Sequence, residues 1–153
     1  MTAQNGLMEV TREQLLECLS VPRWADDVLA AAPYDDRQTL LDRADEAGRT
    51  LTDDELAQAL AGHPRIGERG GEHSTREQAG VDDSAGTAAR LAAGNAAYER
   101  RFGHVFLIRA AGRTADEILA ELERRLGNDD AAERAETVDN LRQIALLRLE
   151  GMV

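Results

Sequence analysis

The sequence predicts an all-α fold: a single-domain bundle of about seven to nine short and medium helices. Three observations carry that expectation. Apolar residues recur at helical spacing along nearly the whole chain, as in Leu15, Leu16 and Leu19 or Ile118, Leu119, Leu122 and Leu126. A Ser or Thr followed three residues later by Glu or Gln, the capping-box spacing, occurs at Thr11/Gln14, Thr52/Glu55, Ser74/Glu77 and Thr114/Glu117. Aromatic residues make up 3% of the chain, which leaves the core to Leu, Ala, Val and Ile, a palette suited to helices rather than to a β-sandwich.

Each element follows in order. Thr11 opens the first helix, over Thr11 to Leu19, and Pro22 sits near the first turn of a second that carries Trp24, Val28 and Leu29. A third starts at Asp35 or Asp36 and runs through Leu40, Leu41 and Ala44 to Gly48, a candidate C′ stop. Thr52 caps a fourth with Leu56, Ala59 and Leu60, which ends at Gly62 because Pro64 biases His63 away from the α region. Gly67, Gly70 and Gly71 make Ile66 to His73 a loop. Ser74 then caps a short helix that precedes Gly80, and a long helix follows over Ala85 to Arg101 until Gly103 breaks it. Val105 to Ile108 reads as extended or irregular. Thr114 caps a helix closed by Gly127 and Asn128, and the last runs from about Asp130 to Glu150.

Size and charge bound the function. A chain of 153 residues is one domain by default, here residues 1–153 with 1–10 as a flexible N-terminus, and buries enough surface to dispense with disulfides or a structural metal. Cys18 is the single cysteine, and Met1 to Val10 contains neither a basic cluster nor an apolar run, so a cytoplasmic location is expected. No apolar stretch approaches the roughly 20 residues that span a bilayer. With 29 acidic against 18 basic side chains the formal net charge is −11, which argues against nucleic acid as a bulk partner. It leaves room for a small anion, because a local cationic pocket outweighs net charge at short range.

A few positions break the apolar and polar pattern. On the last helix Val138, Leu141, Ile144 and Ala145 form one stripe, and Arg148 falls within it. Its stem can snorkel over the core edge or pair with a carboxylate; alternatively its planar fork holds an anionic ligand. His63 extends the stripe of Leu56, Ala59 and Leu60 just past a helix end, as a cap, a core residue, a catalyst or a ligand. With Glu68, Glu72 and His73 it could suggest zinc, but the one-face spacing of a His-Glu-x-x-His helix is missing. Ser74 and Glu77 are explained as a capping box, yet a capped helix start also offers N–H groups to an anion, and Gln78 adds an amide there. Cys18 has no local cue for activation.

Read in order, Gly62-His63-Pro64-Arg65-Ile66-Gly67-Glu68, Ser74-Thr75-Arg76-Glu77-Gln78-Ala79-Gly80, Asn95, Tyr98, Phe102-Gly103-His104-Val105-Phe106-Leu107-Ile108 and Ile144-Ala145-Leu146-Leu147-Arg148-Leu149 resemble the 2-oxo-4-hydroxy-4-carboxy-5-ureidoimidazoline (OHCU) decarboxylases. The resemblance runs from Trp24 to Leu149. It implies an all-helical, cofactor-free lyase of urate degradation that yields (S)-allantoin and CO₂ from a small anionic substrate, without metal, nucleic acid or membrane, and as a homodimer. His63 matches the family's catalytic histidine, Pro64 the proline that fixes it, Glu77 its acidic catalytic residue and Arg148 its C-terminal arginine. Ser74, Thr75, Arg76 and Gln78 fall in a substrate-binding segment. Phe106, Leu107, Ile108, Arg109 and Ala110 match a second, which offers backbone groups to the ligand. Arg109 departs from the small or apolar residue expected there. Two readings of other classes stand beside this one: a helical interaction or regulatory module without catalysis, and a zinc-dependent hydrolase using His63 and His73.

Overall fold

The computed structural model describes residues 10–63 and 85–153, the side chain of residue 85 excepted. These residues form seven helices and no strand: α1 (Arg12–Cys18), α2 (Pro22–Ala30), α3 (Arg37–Ala47), α4 (Asp53–Ala61), α5 (Ala85–Phe102), α6 (Ala115–Arg125) and α7 (Asp130–Met152). The fold is all-α. The expected short helix after Ser74, and most of the N-terminal stretch expected to be flexible, lie outside the described residues. Contacts sort the chain into two compact units, one of residues 1–59 and 141–153 and one of residues 60–140.

In the first unit the capping residues act as the sequence suggests. Thr11 Oγ1 accepts the Gln14 N–H while Gln14 Oε1 accepts the Thr11 N–H, so two of the otherwise orphaned donors at the start of α1 are satisfied. Asp36 caps α3 through the Thr39 N–H at 2.7 Å, and Thr52 with Glu55 forms the same reciprocal box ahead of α4. Leu15, Trp24, Ala25, Val28, Leu40 and Ala44 are buried where α1 meets α2 and α2 meets α3. The Trp24 indole N–H donates to Ala44 O at 2.9 Å, which pairs the polar tip of the largest core side chain. From α7, Leu141, Ile144, Ala145 and Leu149 are buried, and Arg142 forms an ion pair with Asp45.

Gly48 ends α3, but not through the left-handed geometry of a C′ glycine. Its φ is −89°, so backbone freedom is not what requires glycine there. The site is close-packed instead. A Cβ at Gly48 would lie 3.3 Å from Ala44 O and 3.5 Å from both Arg142 Cγ and Trp24 Nε1.

The second unit is built on α5 packed against α6. Leu91 and Tyr98 from α5 meet Ile118, Leu119 and Leu122 from α6, with Phe106, Ile108 and Ala110 completing the cluster. Those last three come from a non-helical stretch, residues 105–110, as the sequence expects. Gly103 at φ +82° and Gly112 at φ +80° bracket it. Both adopt the left-handed region that residues with a Cβ rarely enter, so the chain can leave α5 sharply and turn again before α6. Thr114 and Glu117 box the start of α6, and Asp129 Oδ1 accepts the Ala132 N–H at the start of α7.

Candidate active site

Among the residues singled out from the sequence, His63, Phe106 to Ala110 and Arg148 are described. Pro64, Ser74, Thr75, Arg76, Glu77 and Gln78 lie outside the described residues, as does His73 of the zinc reading. His63 follows α4 directly, with its backbone N–H on Leu60 O at 3.0 Å and its side chain half-buried. This is the position after a helix end that Gly62 and Pro64 impose. His63 and the 105–110 stretch belong to the second unit, Arg148 to the first. Among the described residues no group of three or more His, Cys, Asp or Glu side chains is arranged to hold a metal ion.

The 105–110 stretch is held from several directions within its unit. Phe106, Leu107, Ile108 and Ala110 are buried, and the Phe106 ring packs edge-on against Tyr98 at a centroid distance of 5.2 Å. Arg125 Nη1 donates to Leu107 O at 2.8 Å, and Arg125 Cζ lies 4.7 Å from the centre of the Phe106 ring. Asn140 Oδ1 accepts the Arg109 N–H at 2.9 Å, and the Asn140 amide in turn donates to Glu136 O. The Arg109 side chain folds back to Ala111 O, and Arg109 O accepts from Arg113 Nε. A ligand meeting this stretch therefore meets backbone whose placement is already fixed.

Arg125 is completely buried, yet its charge is answered. Its Nε reaches both oxygens of Glu133 at 3.1 and 3.0 Å and its Nη2 reaches Oε2 at 2.5 Å, a bidentate grip that only a guanidinium fork makes. Tyr98 Oη also donates to Glu133, and Asn128 Nδ2 adds a bond at 3.1 Å. Burial pushes the Glu133 carboxyl upward, but the bonds from Arg125 and Tyr98 outweigh it and hold the group below the usual carboxylate range. For Tyr98, burial and then the adjacent carboxylate both raise the hydroxyl well above its ordinary value, so it remains a proton donor.

Arg148 is half-buried on the α7 stripe, and its Nη1 points at the last carbonyls of α1, 3.4 Å from Glu17 O and 3.4 Å from Cys18 O. A cation there meets the negative end of the α1 dipole. Snorkelling, one of the readings open to a stripe arginine, brings Arg148 to these two carbonyls. Burial pushes the neighbouring Cys18 thiol up to about 12, with Arg148 pulling the other way, so the thiol is neutral and unsuited to nucleophilic work.

Sequence reasoning missed Arg125, Glu133, Thr137 and Asn140, which are buried, the first three in contact with the Tyr98 singled out from the sequence or with its partner Glu133. A signal was present: Arg125 lies three residues beyond Leu122 and seven beyond Ile118, on the same wheel stripe, as Arg148 does on α7. Thr137 and Asn140 likewise stand four and seven residues beyond Glu133, one face of α7.

Against known proteins, the family model described as OHCU decarboxylase matches residues 8–150. The 2-oxo-4-hydroxy-4-carboxy-5-ureidoimidazoline decarboxylase of Amia calva is 42% identical over 69 residues, 45% of this chain. That stretch is 39% of the Amia calva protein, so the match spans well under half of the relative's length. The crystal structure of an OHCU decarboxylase in the presence of (S)-allantoin is similar at a TM-score of 0.80 with 24% identity, over 94% of this chain and 98% of the other. A crystal structure of (S)-allantoin synthase is similar at a TM-score of 0.67 with 17% identity, over 93% of this chain and 49% of the other. At those identities the two structures speak to the fold.

Proposed function

The chain belongs to the OHCU decarboxylase family, and from that premise we propose that it converts 2-oxo-4-hydroxy-4-carboxy-5-ureidoimidazoline to (S)-allantoin and CO₂. The observation that carries the proposal is the family match over residues 8–150, which takes in every residue singled out from the sequence.

The chemistry suits those residue types. When the carboxylate leaves the hydroxyl-bearing ring carbon as CO₂, the bonding pair moves into the ring and the adjacent imine takes up the displaced electrons. The imine nitrogen that received the electrons is protonated, and the resulting enol gives up its hydroxyl proton and receives one on the neighbouring carbon, from one face only, so that one proton is consumed for each CO₂ lost. The substrate is its own electron sink, so the reaction needs no organic cofactor. The protein's task is to turn the carboxylate out of the ring plane, polarise the hydroxyl and supply one proton stereospecifically.

In this reading His63 and Glu77 handle the hydroxyl and the proton, with Pro64 fixing the histidine. Arg148 and Gln78 orient the ring and its carbonyl or ureido groups, Ser74, Thr75 and Arg76 belong to the substrate-binding segment, and Phe106 to Ala110 present backbone groups. The working form is a cytoplasmic homodimer.

The test is a supply of freshly generated OHCU with the rate and handedness of allantoin followed together. Spontaneous decay gives racemic product, so an optically active product identifies the enzyme. His63→Ala should stay folded and lose roughly 10²- to 10⁴-fold in rate, the usual contribution of a general acid or base. Near wild-type rate and handedness in that variant would remove His63 from the mechanism.

A further inference from the structure

The Arg125–Glu133 pair plays no part in the chemistry above, and it is an unusual thing to keep in a core. Both side chains are 1% exposed. Replacing such a pair by apolar side chains of similar volume is often neutral or stabilising, so stability alone does not account for it. What an apolar pair could not do is donate to Leu107 O, which is buried and receives Arg125 Nη1 at 2.8 Å. Without that donor a buried carbonyl would be left unsatisfied. The same guanidinium lies against the Phe106 ring, and Asn140 takes the Arg109 N–H. Leu107 and Arg109 are thus both held through their backbone groups, two residues apart in the non-helical stretch.

We propose that Arg125, oriented by Glu133, is a positioning residue for the reaction: with Asn140 it holds the backbone of residues 105–110 and so sets the placement of the groups that meet substrate. The proposal rests on the reading that Phe106 to Ala110 bind substrate. Glu133 locks the fork through Nε and Nη2, which leaves Nη1 aimed at Leu107 O, and Tyr98, Asn128 and Thr137 satisfy the rest of the carboxylate. A lysine could pair with Glu133 but lacks the planar fork that serves both acceptors at once.

The experiment compares wild type, the triple variant Tyr98→Phe/Arg125→Met/Glu133→Leu and the single variant Asn140→Ala on freshly generated OHCU. The triple variant removes both charges and the hydroxyl together, so that no unpaired buried charge remains. Readouts are melting temperature, kcat and KM, optical purity of the allantoin, and amide exchange over residues 105–110. Both variants should lose about 10- to 100-fold in kcat, the order expected for an ångström-scale misplacement. KM should move less, optical purity should fall and exchange should quicken. Folded variants with wild-type kcat and optical purity overturn the positioning role, whatever their melting temperatures, while the wild-type activity still upholds the substrate reading. Should the triple variant not fold, Asn140→Ala decides alone by the same criteria. A wild-type protein that yields no excess of one enantiomer overturns the substrate reading and the positioning role with it.

Discussion

Arg125→Met should be among the most damaging single substitutions in the protein, and its cost should depend on pH in the opposite sense to the wild-type pair. Glu133 is buried at 1% exposure and would keep only Tyr98, Asn128 and Thr137 as partners once the guanidinium is gone. Breaking a buried pair in this way costs about 3–5 kcal/mol at neutral pH. Against a typical domain stability of about 5–15 kcal/mol, that is a large fraction. In the wild type the Glu133 carboxyl is held below its ordinary range despite burial. Its contribution is therefore fully present above the unfolded carboxyl value of about 4.3 and is lost as pH falls through the lower folded value. Without Arg125 the burial remains and the main opposing interaction is removed, so the folded value moves above the unfolded one. Protonation then favours the fold, and the penalty should shrink between pH 7 and pH 5. Glu133→Leu makes the contrast, because a stranded arginine cannot deprotonate and its penalty should stay level over that range. Urea denaturation of both variants at the two pH values is the measurement. A cost below about 1 kcal/mol for Arg125→Met, or one equal at both pH values, would refute the assignment of this pair as a buried, mutually dependent unit.

Gly94→Ala should destabilise despite the gain of about 1 kcal/mol in helix propensity. A Cβ there would lie 2.5 Å from Cδ2 of the fully buried Leu122, so overpacking of about 1–3 kcal/mol should win, and a raised melting temperature would show that α5 and α6 have slack between them. Arg148→Met should lower stability by about 0.3–1 kcal/mol, the worth of a cation at a helix C-terminus, because Arg148 points at Glu17 O and Cys18 O. Its kcat/KM for OHCU should fall far more than that small change explains, and a fully active variant would leave Arg148 with only the capping role.

The helices were legible because their signals are local. A capping box such as Thr114 with Glu117 is completed within one turn, and the stripe of Ile118, Leu119 and Leu122 needs no knowledge of its partner to be recognised. The irregular stretch at residues 105–110 was legible for the complementary reason: Gly103 interrupts the preceding helix, and the apolar run that follows is too short to establish a helical period. Gly48 marked the end of α3 correctly but not its backbone geometry, because a glycine after a helix has two physical uses. Left-handed backbone and close packing leave the same letter, and only the positions of Trp24, Ala44 and Arg142 decide between them.

Arg125 and Arg148 show where such reading stops. Both sit on an apolar stripe, so the helical wheel marks both as exceptions that a core must answer. What answers them is tertiary. Leu107 O is 18 residues from Arg125, and Glu17 O is 131 residues from Arg148, distances over which no spacing rule operates. The two arginines also differ in a way the stripe cannot express, since one is fully buried against a carboxylate and the other half-exposed at a helix end. The consequence is functional. A buried, fork-bonded arginine is committed to holding the chain around it, whereas a half-exposed one keeps its charge within reach of solvent and of an anion. A stripe arginine is therefore evidence for a site only after its acceptors are known: Arg125 is committed to the 105–110 backbone and to Glu133, whereas Arg148 is half-exposed beside Glu17 O and Cys18 O.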